Sequence, residues 1–246
     1  MRLLTVDIET LPHEGYVWGL RDQNIGLSQL KKAGVIASFA AKFHGQRTVY
    51  HADIHDGEKA MLRQAHELLA ESDAVIGYNS QRFDVRWFKG QFAKLRMQPI
   101  KPIKHIDLLK TVRSEFYLPS YKLEYVARFF GLGGKVPTGG FELWRDFADN
   151  CPKARRKMRK YNIGDVKLTE ELYDFLLPYI KNHPNVGVFE GRQCCPKCGG
   201  ERVQSRGEYV TRDKAYPQFQ CRTCFTWLYQ VAGKLQEGVQ RMRSAA

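Results

Sequence analysis

Hydrophobic and polar positions alternate from the first residues of the chain. In Leu3-Leu4-Thr5-Val6-Asp7-Ile8-Glu9, the side chains of Leu4, Val6 and Ile8 share one face, and Thr5, Asp7 and Glu9 share the other. That two-residue period predicts a strand. Val35 to Phe43 and Thr48 to His51 read as two further strands around the turn His44-Gly45-Gln46. The period then changes: Met61, Leu62, Ala65, Leu68 and Leu69 recur at helical spacing and predict a helix from Glu58 to Leu69. Ala74 to Tyr78 predicts a short buried strand, and Ser80 to Leu95 a helix burying Val85, Phe88, Phe92 and Leu95. Ile103 to Ile106 predicts a fifth strand. Beyond it the pattern is helical to residue 180, broken by a loop from Gly131 to Gly140. The last helix is expected from Pro152, a residue suited to the first helical position, to Leu177, with Leu168, Leu172, Phe175 and Leu176 inward. Three strands followed by strands alternating with helices predict an α/β fold, a mixed sheet flanked by helices. No internal repeat is present.

The 246 residues leave room for one mid-sized domain and a small appendage. Lys181-Asn182-His183-Pro184-Asn185 marks the expected boundary, giving a main domain over 1–183, a small module over 190–232 and a basic C-terminal tail over 233–246. An apolar content of 43% and an aromatic content of 12% exclude a disordered chain. No apolar run reaches the roughly 18 residues of a membrane span, so no membrane partner is expected. The N-terminus meets its first acid at Asp7, too soon for the apolar region of a signal peptide. The expectation is a soluble, cytoplasmic protein in a reducing compartment. A net charge of +13 favours a polyanionic partner, of which nucleic acid is the commonest.

Two acids on one face of a strand rich in Leu, Val and Ile repel each other and lose hydration unless a cation compensates. Asp7 and Glu9 are such a pair. Asp84 follows the polar turn Tyr78-Asn79-Ser80-Gln81-Arg82-Phe83, where α/β sheets build their sites. Complementing the dipole of the helix it begins is an equal alternative for it. Tyr161 and Asp165, four apart, lie one helical turn from each other on one face.

Together, Asp7-x-Glu9, Asp84 and Tyr161-x3-Asp165 resemble the motifs of the DEDD exonuclease superfamily, which has a ribonuclease-H-like fold. The tyrosine subclass (DEDDy) is indicated, because Lys160 stands where the histidine subclass carries its His. The resemblance covers residues 1 to about 180. It implies a 3′–5′ exonuclease that hydrolyses phosphodiester bonds of single-stranded DNA or RNA with two Mg²⁺ or Mn²⁺ ions. Asp7, Glu9 and Asp165 would hold the ion that activates water, and Asp7 would bridge to a second ion near Asp84. Tyr161 would orient the attacking water, since a tyrosine pKa of about 10 makes it a poor base. Asn79 would touch the substrate sugar or hold its loop. DNA is favoured over RNA as the partner, with a replication or repair protein beside it. A structure-specific endonuclease, or a non-catalytic nucleic-acid-binding scaffold, is the alternative.

Cys195-Pro-Lys-Cys198 and Cys221-Arg-Thr-Cys224 are two Cys-x2-Cys knuckles separated by 22 residues. Paired knuckles supply four thiolates for a structural Zn²⁺, and the segment resembles a zinc ribbon. Cys194 could replace Cys195, although Cys-Pro-x-Cys-Gly is the better knuckle. From Gly191 to Ala246 there are ten basic against four acidic residues. Tyr209, Tyr216, Phe219, Phe225, Trp227 and Tyr229 are interleaved with them, expected partly to fill the ribbon and partly to assist capture of a single strand.

Overall fold

The computed structural model describes residues 1–134, 137–236 and 239–244. The first strand, β1 (Leu3–Thr10), realises the expected alternation. Leu4, Val6 and Ile8 are buried on one face, Leu3 and Thr5 on the other, so β1 is covered on both sides. A short hairpin, β2 (Glu14–Gly15) with β3 (Leu30–Lys32), occupies the Gly- and Pro-punctuated stretch that showed no element in sequence. Then come β4 (Ile36–Phe43), β5 (Tyr50–Asp53), α1 (Glu58–Glu71) and β6 (Ala74–Gly77). They are followed by α2 (Asp84–Lys94), β7 (Lys104–Asp107) and α3 (Leu108–Glu115). Three more helices complete this part: α4 (Leu123–Phe129), α5 (Glu142–Ala148) and the long α6 (Pro152–Leu176), with Pro152 in its first turn.

The main sheet runs β5-β4-β1-β6-β7, which puts the acidic strand in the middle. β4 and β5 pair antiparallel and β6 and β7 parallel, so the sheet is mixed. On one face Leu4, Val6 and Ile8 of β1 join Phe39, Met61, Leu62 and Phe88 in a single apolar cluster with α1 and α2. On the other, Ile76 and Ile106 meet Val112, Val126, Leu172 and Leu176 from α3, α4 and α6. The result is a three-layer α/β/α arrangement in which α6 lies across β1, β4 and β6.

Two expectations are corrected here. Helix α2 begins at Asp84 rather than Ser80, because Asn79 adopts φ 66° and its carbonyl accepts from the N–H groups of Arg82 and Phe83 in a tight turn. Phe175, expected inward, is 40% exposed.

After the expected boundary come α7 (Val186–Glu190), β8 (Val203–Val210), β9 (Ala215–Cys221), β10 (Trp227–Gln236) and β11 (Val239–Ser244), with sheet order β11-β10-β9-β8. The stretch expected as a basic tail from residue 233 therefore continues β10 and supplies β11, an antiparallel edge strand that can pair only once β10 is in place. Of the expected loop and tail, residues 135–136, 237–238 and 245–246 lie outside the described residues. The small module sits on the larger one: Lys197 Nζ donates to the Pro178 carbonyl at 2.8 Å, and Cys198 and Cys224 pack against the cluster containing Leu172 and Leu176. Among the described residues no helix is long and apolar enough to cross a membrane.

Candidate functional site

β6 pairs with β1 only over Leu3–Thr5, so the edge of β1 facing β6 has no strand partner from Val6 onward. The acids emerge there. Asp7 and Glu9 are half-buried on the face covered by α6, and α6 presents Asp165, 1% exposed, to the same place. Carboxylate oxygens from Asp7, Glu9 and Asp165 all lie within 4.8 Å of one another. Three hard oxygen donors at that separation suit one Mg²⁺ or Mn²⁺ ion, whose coordination sphere spans a few ångströms.

Asp84 takes a different place. Its Oδ1 accepts the Ile8 N–H at 3.0 Å, satisfying the backbone of β1 between the two strand acids. The carboxyl is 4% exposed, and burial pushes its pKa up to about 7, with Asp107 adding to the effect. It stands beside the three-acid cluster without belonging to it. Tyr161 is half-buried and its ring meets Trp144 edge-on, with centroids 6.3 Å apart. The Asn79 N–H donates to Asp107 Oδ1 at 3.0 Å.

Two features of the structure went unread in the sequence. Asn162 is fully buried; its Nδ2 donates to Asp7 Oδ2 at 2.7 Å and to the Asp7 carbonyl at 3.3 Å, while its Oδ1 accepts from Ser38 Oγ at 3.2 Å. Nothing in the pattern separates Asn162 from a surface asparagine until α6 is laid across β1. A basic surface was also missed. Arg82, Arg86, Lys89 and Lys110 line a cleft of about 330 Å³ around His105. Here a signal did exist, since Arg82, Arg86 and Lys89 recur at helical spacing.

The second cluster joins Cys195, Cys198, Cys221 and Cys224, whose sulfurs all lie within 4.8 Å of one another. The pairs Cys195–Cys224 and Cys198–Cys221 are 3.6 Å apart. A tetrahedral Zn²⁺ with Zn–S bonds of about 2.3 Å places its sulfurs about 3.8 Å apart, so the four thiols fit that ion. Cys194 is buried outside the group.

A profile of the RNase_H superfamily matches residues 25–177, a stretch that includes Asp84, Tyr161 and Asp165 and begins after Asp7 and Glu9. DNA polymerase 1 of Pyrococcus abyssi is 25% identical over 202 residues, covering 70% of this chain and 24% of the polymerase. The DNA polymerase of Pyrococcus horikoshii is 26% identical over 208 residues, covering 70% of this chain and 15% of the polymerase. The chain thus spans a quarter or less of the length of these relatives. Among solved structures, the family B DNA polymerase of the hyperthermophilic archaeon Pyrobaculum calidifontis aligns with a TM-score of 0.52 at 23% identity, over 72% of this chain and 24% of that one. That likeness is one of fold. With a profile match over more than half of its length, three-layer architecture and mixed sheet, the chain belongs to the ribonuclease H superfamily.

Proposed function

We propose that the protein is a metal-dependent 3′–5′ exonuclease acting on single-stranded nucleic acid, and that its cysteine module is a structural zinc ribbon. The observation that carries the reading is the convergence of Asp7, Glu9 and Asp165 within 4.8 Å between a central strand and α6. Buried acids are not gathered in this way unless cations balance them. A pair of Mg²⁺ or Mn²⁺ ions supplies water activation and charge stabilisation at both the attacking and the leaving oxygen. The chain's own part is to hold and orient. Asp7, Glu9 and Asp165 bind through their carboxylates, and Asn162 fixes the rotamer of Asp7. Asp84, on α2, would join them only by releasing the Ile8 N–H. Tyr161, steadied by Trp144, orients water by hydrogen bond. The DNA polymerases among the relatives favour DNA over RNA and a partner in replication or repair.

The test is cleavage of 5′-labelled single-stranded DNA and matched RNA with Mg²⁺, Mn²⁺ or chelator. A descending ladder, abolished in Asp7→Ala while circular dichroism and zinc content stay at wild-type values, is the expected result. Wild-type cleavage by Asp7→Ala would refute the assignment. Binding without cleavage by the wild type would favour the scaffold reading instead.

A further inference from the structure

At the end of α6 the chain tightens into a 3-10 turn, Leu177–Tyr179, which faces the second cysteine knuckle across a cleft of about 640 Å³. Phe175 and Tyr179 line it from one side and Phe225 and Trp227 from the other, with Asp174, the ion pair Lys181–Glu115 at 2.9 Å and the buried Lys197 among them. The four rings are 40%, 43%, 61% and 43% exposed. The first pair is braced from behind: Phe175 packs against Phe130 with centroids 4.7 Å apart and rings tilted by 33°, and Tyr179 meets Phe116 at 5.0 Å. Trp227, the first residue of β10, faces outward between the buried Thr226 and Leu228, and Phe225 is turned out by the knuckle that precedes the strand.

Phe225 is the unusual member. The two knuckles close with the same turn: the Gly199 N–H donates to the Cys195 carbonyl, and the Phe225 N–H to the Cys221 carbonyl. Both closing residues are left-handed, Gly199 at φ 70° and Phe225 at φ 60°. Glycine adopts that conformation without strain, whereas a residue with a bulky side chain there is an outlier. The ring gains little burial in return. A strained backbone that presents an exposed ring to a cleft points to binding.

We infer that this cleft is a nucleobase-stacking subsite, which takes bases of the single strand whose 3′ end the carboxylates are proposed to cut. The identity of that strand as substrate rests on the proposed function; the stacking itself does not. Exposed flat ring faces on both walls of a cleft match a polymer that carries an aromatic base in each unit. The balance of ten basic to four acidic residues from Gly191 onward, within a chain of net charge +13, complements a polyanion.

The test measures binding in the Asp7→Ala background, so that the strand is not cut. The probe is a fluorescent oligothymidylate of about 15 nucleotides, within the usual range of single-strand site sizes. Phe225→Gly suits the turn, so it should keep its zinc and a thermal midpoint at or above that of the parent, yet bind about tenfold more weakly. Trp227→Ala should weaken binding similarly, and neither should alter the salt dependence, because no charge is removed. Parental affinity in Phe225→Gly would overturn the inference, as would loss confined to variants that have lost zinc. If the wild type binds with this ring dependence but never cleaves, the nuclease reading fails and the stacking subsite stands.

Discussion

Asn162 shows how much of a metal site can rest on a residue that has no charge. Its amide grips Asp7 at both the carboxylate and the carbonyl, and Ser38 fixes the amide in turn. Groups that orient ligands in this manner typically contribute 10–100-fold in metal affinity or activity. Asn162→Ala should therefore lower kcat by roughly that factor and shift the Mg²⁺ activation curve to higher concentration. Asn162→Asp should be worse, because it replaces a donor with a fourth anion beside Asp7, Glu9 and Asp165. A fall in thermal stability with an unchanged Mg²⁺ curve would mean that Asn162 only packs the core. The sequence displayed Asp7, Glu9, Tyr161 and Asp165 because shared faces follow from residue spacing. It could not display Asn162, whose role depends on which side of α6 meets the sheet, nor the bond from Ile8 to Asp84, which joins two elements far apart in the chain.

Periodicity was a sound guide wherever an element buries one clean face. The faces of β1 and α1 were legible for that reason, as Leu4, Val6 and Ile8 on one and Met61, Leu62, Ala65, Leu68 and Leu69 on the other are all buried. It failed where local turn geometry decides. The start of α2 is set by the left-handed Asn79 and by the bond from its N–H to Asp107, neither of which has a hydrophobic signature. Phe175 fits the apolar stripe of α6 in sequence, but only the docked ribbon reveals that its side of the helix borders a cleft. The same turn gives a stability prediction. A β-carbon at Gly77 would stand 2.4 Å from the buried Ser80 Cβ, whereas one at Gly90 within α2 meets nothing within 4 Å. Gly77→Ala should destabilise by about 1–3 kcal/mol, the usual cost of overpacking. Gly90→Ala should stabilise by up to about 1 kcal/mol through helix propensity. Urea melts of the two variants would check both signs, and a neutral Gly77→Ala would show that the loop can move without cost.

At the scale of the molecule, the two modules share a seam, and the seam responds to pH. His183, at the expected boundary, donates from Nδ1 to the Pro184 carbonyl at 2.6 Å and accepts at Nε2 from the buried Tyr173 hydroxyl at 2.8 Å. Acceptance at Nε2 requires the neutral ring, and burial pushes the His183 pKa down from 6.5 to about 4. Between those values the unfolded chain binds a proton that the folded chain refuses. The stability contributed by neutral His183 is therefore complete above pH 6.5 and falls as pH drops towards about 4. One proton sets the limit, at most about 1.4 kcal/mol per pH unit. His44 works in the opposite direction, its pKa raised chiefly by its hydrogen bond to Asp174. Its contribution is complete below 6.5 and is lost as pH rises through its folded value, so it does not mask the His183 window. Asp84, with its pKa raised to about 7 by burial, also opposes His183 across this window, which is why the informative quantity is a difference between proteins. Unfolding free energy measured from pH 7 to pH 4 should fall less steeply in His183→Gln, whose amide can serve as donor and acceptor without titrating. Tyr173 belongs to the apolar cluster against which Cys198 and Cys224 pack, so the loss should appear as one cooperative transition rather than early release of the ribbon. Parallel pH curves for the variant and the wild type would show that His183 does not set the acid stability of the seam.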